Sequence, residues 1–171
     1  MRMSSPWGFA VAALVSLAVA HGSAAAEGKP ATCTTGQTAS PVTVRVRAPA
    51  EMLELRVADT ITKRSSGLMC VRELPARTGM IFVFDDGDNL RNFWMKNTLI
   101  PLDMVFVSKN GHVNDVRPDV PATTVDTPED KIPTASGTGS YVIELAAGEA
   151  ARAGIKPGTM LDVSAVGPGK D

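Results

Sequence analysis

The tightest constraint on this chain is the run at residues 93–107, FWMKNTLIPLDMVFV. It opens on an aromatic pair, crosses a polar turn at Lys96, Asn97 and Thr98, and closes in an apolar stretch around one carboxylate, Asp103. Pro101 cannot donate to a strand ladder, so the strand begins at Leu102. It pairs with residues 112–116 across Asn110-Gly111, a strong hairpin signal, because both turn residues must tolerate positive φ. Everything on either side of this run reads as scaffold built against it.

Upstream, residues 42–47 alternate strictly, with valines on one side and Thr43, Arg45 and Arg47 on the other. That is the pattern of a half-buried strand. Residues 53–57 repeat it after a turn at Pro49 and Ala50, so the two runs form a hairpin with Glu54 beside an arginine of the first strand. Asp59 or Thr60 caps a helix running from Ile61 to about Val71 and stopped by Pro75. Residues 80–84, MIFVF, form a continuous apolar run, as in a strand buried on both faces. The acidic stretch at residues 85–89 is a plain turn; the order of its carboxylates does not follow a calcium loop.

Downstream, residues 117–139 are broken by Pro118, Pro121, Pro128, Pro133 and Gly137 and read as one long loop, a lid, a binding loop or a flexible segment. A strand resumes over residues 141–145 with Glu144 inside it. A helical turn over residues 149–153 is capped by Gly154 with Ile155 as its apolar clasp. Residues 156–159 make a turn, and residues 160–163 a last short strand.

The N-terminus frames where the domain works. Arg2 precedes an apolar run over residues 9–20, too short to span a bilayer but the length of a signal-peptide core. Ala24, Ala25 and Ala26 offer a cleavage site. The expected organisation is a signal peptide at residues 1–26, a flexible arm at 27–41, one compact domain at 42–165 and a loose tail at 166–171. The expected destination is the periplasm or the medium, with no transmembrane segment in the mature chain. Cys33 and Cys70 could then form a disulfide tying the arm to the domain; the alternative is a buried free Cys70 and an idle Cys33. With 17 basic against 18 acidic residues and no basic stripe, nucleic acid is not an expected partner.

Little of the usual catalytic equipment is present. Beyond the signal segment there is a single histidine, His112, and the chain has no phosphate loop and no CxxC pair. No metal site and no cofactor are expected. What remains is Trp94, Met95, Lys96, Asn97 and Asp103, an aromatic face beside donors and a carboxylate. Such a set suits a sugar ring, a peptide or an aromatic ligand. Asp103 in an apolar strand must lie at an edge, be paired or face a pocket, and Lys96 could return across the turn to pair with it.

At GLM (67–69), GMIFVF (79–84), FWMKNTLIPLDMVFV (93–107) and YVIELAAGEAARAGIKPG (141–158), the chain resembles the domain-of-unknown-function family 192. The resemblance covers about residues 42–165. It implies a mainly β (α+β) fold, a small antiparallel barrel-like sheet with one or two short helices, and it implies no activity. Its motifs implicate Gly67, Leu68, Met69, Gly79, Trp94, Met95, Lys96, Asn97, Pro101, Leu102 and Asp103. Relatives carry an aromatic and then an arginine after the GLM. Here Cys70 and Val71 stand there and Arg72 comes one place later, so no role passes to that arginine.

The leading expectation is therefore a non-catalytic cell-envelope binding domain for a small molecule, glycan or peptide. Its pocket would lie around Trp94, Met95, Lys96, Asn97 and Asp103, with residues 117–139 at the rim. The alternatives are a hydrolase or lyase on a cell-wall or sugar substrate, using Asp103 and Glu144 as acid and base, and a structural or assembly partner without any ligand.

Overall fold

The computed structural model describes Cys33 and residues 42–170. The expected signal peptide and nearly all of the arm lie outside the described residues. Eight strands and two short helices follow one another: β1 Thr43–Arg47, β2 Met52–Ala58, α1 Ile61–Ser66, β3 Thr78–Val83, β4 Asn89–Trp94, β5 Leu102–Val107, β6 Val113–Val120, β7 Thr134–Gly139, β8 Tyr141–Ala146 and α2 Glu149–Arg152. A single 3₁₀ turn, Glu129–Lys131, precedes β7.

Six strands form one sheet in the order β1-β2-β3-β8-β5-β6, while β4 and β7 make a separate two-stranded ribbon. The alternating runs at the start pair as an antiparallel hairpin, with Arg45 opposite Glu54. The mainly β fold is as expected, with one departure from antiparallel pairing: β2 and β3 run parallel. A parallel neighbour needs a crossover, and residues 59–77, which carry α1, supply it. That helix is shorter than its apolar spacing predicts. Thr60 caps its start by accepting from Lys63 N at 3.3 Å. It ends at Gly67, whose φ of 45° turns the chain away, and a side chain there would press on the Phe82 ring at 3.2 Å.

The period-2 pattern gives the main sheet two apolar faces. Leu53, Leu55, Val57, Ile81, Val105, Ile143 and Leu145 lie on one, under Ala150, Ala153 and Ile155 from α2 and its exit. Ala58, Met80, Phe82, Leu102, Met104, Phe106 and Val142 lie on the other, with Leu68 and Met95. The β4–β7 ribbon covers that second face. Phe93 of β4 drives edge-on into Phe82, with ring centroids 4.9 Å apart. Gly137 of β7 lies directly on Phe106, where a Cβ would come within 2.4 Å of the ring.

Residues 117–139 are therefore not one loop. Their first part completes β6 and their last part is β7. Pro118 is accommodated because β6 is an edge strand and its register slips between Leu102 and Met104 of β5; edges and bulges are where a strand tolerates proline. The expected strand at 160–163 is reduced to a strap. It bridges Arg47 to Asp162 and His112 to Met160, joining the β1 end of the sheet to the β5–β6 turn.

Candidate functional site

Asp103 sits on β5, beside the edge strand β6 of the main sheet, and is 1% exposed. Its neighbours Leu102 and Met104 point to the ribbon side, so the pleat sends Asp103 to the α2 side with Val105 and Val107. Two backbone donors meet it there. Asp119 N donates to Oδ1 at 2.9 Å, and Ala150 N donates to Oδ2 at 2.9 Å. The first donor comes from the β6 bulge, where Asp119 has φ of 51°. The second comes from the start of α2. One carboxylate thus pins two elements to β5.

These elements surround a cavity of about 650 Å³. Val116, Pro118, Ala147, Ala150, Ile155 and Pro157 supply its apolar wall, Asp103 lies in it, and Asp119 and Lys156 add one charge of each sign. The volume falls within the range of small-molecule sites.

The other expected site residues lie elsewhere. Trp94 is 46% exposed on the ribbon, with Lys96 Nζ 4.8 Å from its ring centroid. Met95 is fully buried in the ribbon-side core. Asn97 has φ of 53°, and its carbonyl accepts from Cys70 N at 2.8 Å. Lys96 does not reach Asp103; it pairs with Glu129 at 3.5 Å. Trp94, Met95, Lys96 and Asn97 do not line the Asp103 cavity, and of residues 117–139 only Pro118 and Asp119 do. The single pocket expected from their closeness in sequence is thus divided between two sides of the sheet. The turn that carries Lys96 and Asn97 is itself fastened: Thr123 N donates to Thr98 O at 2.8 Å and Thr123 Oγ1 donates to Met95 O. Cys70, one residue beyond the GLM, is bonded to Cys33.

Glu144 is the second buried carboxylate, 5% exposed. It pairs across the sheet with Met80 on one side and Met104 on the other, both of the ribbon-side face. Asp103 is opposite Leu145, on the other face. Adjacent strands thus carry the two carboxylates on opposite sides of one sheet, so no single cleft holds both as acid and base. Burial pushes the Glu144 carboxyl up to about 8, against a smaller opposing pull from the Arg56 charge. Its Oε2 has no hydrogen-bond partner among the described residues. Arg56 stands on the same cross-strand row, opposite Met80, and lines a second cavity of about 300 Å³.

Sequence reading did not single out Arg56, Asp119 or Ala150. Arg56 sat in an alternating strand as an ordinary wet-face residue. The two donors to Asp103 are backbone groups 16 and 47 residues away, and no side-chain pattern announces them.

A family profile for the domain-of-unknown-function family 192, described as "Uncharacterized ACR", matches residues 42–163. The chain belongs to this family. The match takes in Asp103, Glu144, Arg56 and the whole described sheet. Among solved structures, a "putative transcription regulator" from Sinorhizobium meliloti 1021 is 29% identical, with a TM-score of 0.61 over 71% of this chain and 93% of its own. A protein of unknown function from Novosphingobium aromaticivorans DSM 12444 is 33% identical, with a TM-score of 0.55 over 71% of this chain and 84% of its own. No curated protein matches the chain.

Proposed function

We propose that this member of family 192 is an exported, non-catalytic binding domain of the cell envelope, and that its ligand is a small, mainly apolar molecule held in the cavity over Asp103. The observation that carries this reading is the cavity itself. It has a ligand-sized volume of about 650 Å³ and mainly aliphatic walls, and both oxygens of its buried carboxylate already accept backbone hydrogen bonds. Such a carboxylate is spent on holding the walls; a general base would need a free oxygen within reach of a substrate proton. The short apolar run behind Arg2 and the Cys33–Cys70 bond support export, since disulfides persist in oxidising compartments. The regulator description of the Sinorhizobium protein is not carried over, because a balanced charge of 17 basic and 18 acidic residues offers no footprint for nucleic acid.

The test is a thermal-shift screen against envelope metabolites, glycans and short peptides, in the parent and in Ala151→Trp. Ala151 is exposed and lines the cavity, so the indole fills the space without touching the core. A ligand at a hundred times its dissociation constant stabilises the parent by about 2.7 kcal/mol. A hit that vanishes in Ala151→Trp supports the reading. A hit that survives unchanged, or a blank screen, counts against it.

A further inference from the structure

The cavity over Asp103 has two charged walls. On β6 the charged residues are Asp115, Arg117 and Asp119, and on α2 and its exit they are Glu149, Arg152 and Lys156. Arg117 pairs with Asp115 at 3.3 Å, and Arg152 pairs with Glu149. That leaves Asp119 and Lys156, and both line the cavity. Neither side chain makes a hydrogen bond or an ion pair among the described residues. We propose that the cavity binds a short apolar peptide with free termini, its carboxylate on Lys156 and its ammonium on Asp119. This rests on the binding reading above and names the class of ligand.

Three features of the geometry carry it. First, the two unpaired charges are opposite in sign, belong to different walls and do not meet each other. A ligand that satisfies both must carry both charges some way apart, as the two ends of a peptide do. Second, the surface they share is aliphatic. Val116, Pro118, Ile155 and Pro157 suit apolar side chains, and the volume of about 650 Å³ exceeds what one amino acid fills. Third, the charges are sorted by depth. Asp119 and Lys156 are exposed, whereas Asp103 is buried. The buried carboxylate repels a second one, which directs the carboxylate of the ligand outward to Lys156. Asp103 also takes Asp119 N and Ala150 N, so the spacing of the walls is set before a ligand arrives, which lowers the cost of binding.

The experiment is an NMR titration of the chain, disulfide intact, with valyl-valine, its N-acetyl form, its C-terminal amide and the doubly blocked form. Saturable shifts are expected at Val116, Ala147, Ala151 and Ile155 for the free dipeptide. Each singly blocked form should bind about fivefold more weakly, the upper end for an exposed ion pair. Lys156→Gln should abolish the difference between free and amidated peptide and keep that between free and acetylated. Asp119→Asn should do the reverse. Both variants change exposed groups, and asparagine tolerates the φ of 51° at position 119. Equal binding of the free and doubly blocked forms overturns this inference and leaves the cavity as an apolar site. Discrimination that survives both variants overturns it as well. So do shifts confined to Thr43, Val71 and Thr78, which would place the peptide in the cavity on the other face. No saturable shift with any form also overturns it, and the Ala151→Trp screen then decides the binding reading separately.

Discussion

Asp103 and Glu144 are both buried carboxylates, on adjacent strands of one sheet, in consecutive rows of its ladder. They have opposite environments. On the α2 side, Asp103 collects two backbone donors from a bulge and a helix start. On the ribbon side, Glu144 stands between two methionines with one oxygen unpartnered and its proton held up to about 8. Depth alone therefore does not set the role of a buried acid. What sets it is whether the loops on that face present N–H groups to it. The face with irregular backbone, the β6 bulge and the α2 start, turns its carboxylate into a strut. On the other face no donor reaches Glu144 Oε2 among the described residues, and burial leaves that carboxyl protonated at neutral pH.

Removing the strut should have the largest effect. Asp103→Ala removes the acceptor of two backbone N–H groups, a part-buried one at Asp119 and a buried one at Ala150, each bond to a carboxylate being worth about 1.5–3 kcal/mol. A loss of about 3–5 kcal/mol is expected in urea unfolding, and Asp103→Asn, which keeps one acceptor oxygen, should lose distinctly less. Equal, small losses in both variants would erase the contrast between the two carboxylates.

Glu144→Gln should act with the opposite sign and only over part of the pH range. The folded carboxyl titrates at about 8 against an ordinary 4.5, so between those values the folded chain holds a proton that the unfolded chain releases. Stability is then full below about pH 4.5 and falls as pH rises toward 8, since the slope follows the protons bound in the unfolded minus the folded state. Glutamine removes that decline, on the order of a few kcal/mol by pH 8. Melting temperatures of parent and variant should converge near pH 4.5 and separate at pH 8. Parallel curves across that range would mean that Glu144 is ionised in the fold.

The smallest effect belongs to the ribbon surface. Trp94→Ala removes a side chain that is 46% exposed and stacks under Lys96. Its cost should stay within about 1 kcal/mol, read from the same unfolding curves. A loss as large as that of Asp103→Ala would show that Trp94 is part of the core and not a surface platform.

Local patterns were enough to place most strands. The alternation at 42–47 and 53–57, the apolar run at 80–84 and the turn at Asn110-Gly111 correspond to β1, β2, β3 and the β5–β6 hairpin. The helical turn before Gly154 is α2, with Gly154 at φ of 73°. Residues 117–139 misled because proline and glycine read as breakers until the sheet is known. Pro118 is tolerated at an edge bulge, and Gly137 is there because Phe106 leaves no room for more. The site misled for a related reason: Trp94, Lys96, Asn97 and Asp103 are close in sequence, yet a turn and a pleat send them to different sides.

The sequence by itself determined that this is a small, mainly β domain of family 192, where most of its strands run, and that Asp103 must be satisfied inside an apolar strand. Only the tertiary structure decided that Asp119 and Ala150 satisfy it, that Glu144 faces the other way beside Arg56, and that each face has its own cavity. The physical reason is the period of the strand. Alternation fixes which residues of one strand share a face, but what covers that face is supplied by backbone groups and side chains from distant segments, whose arrival depends on the whole fold.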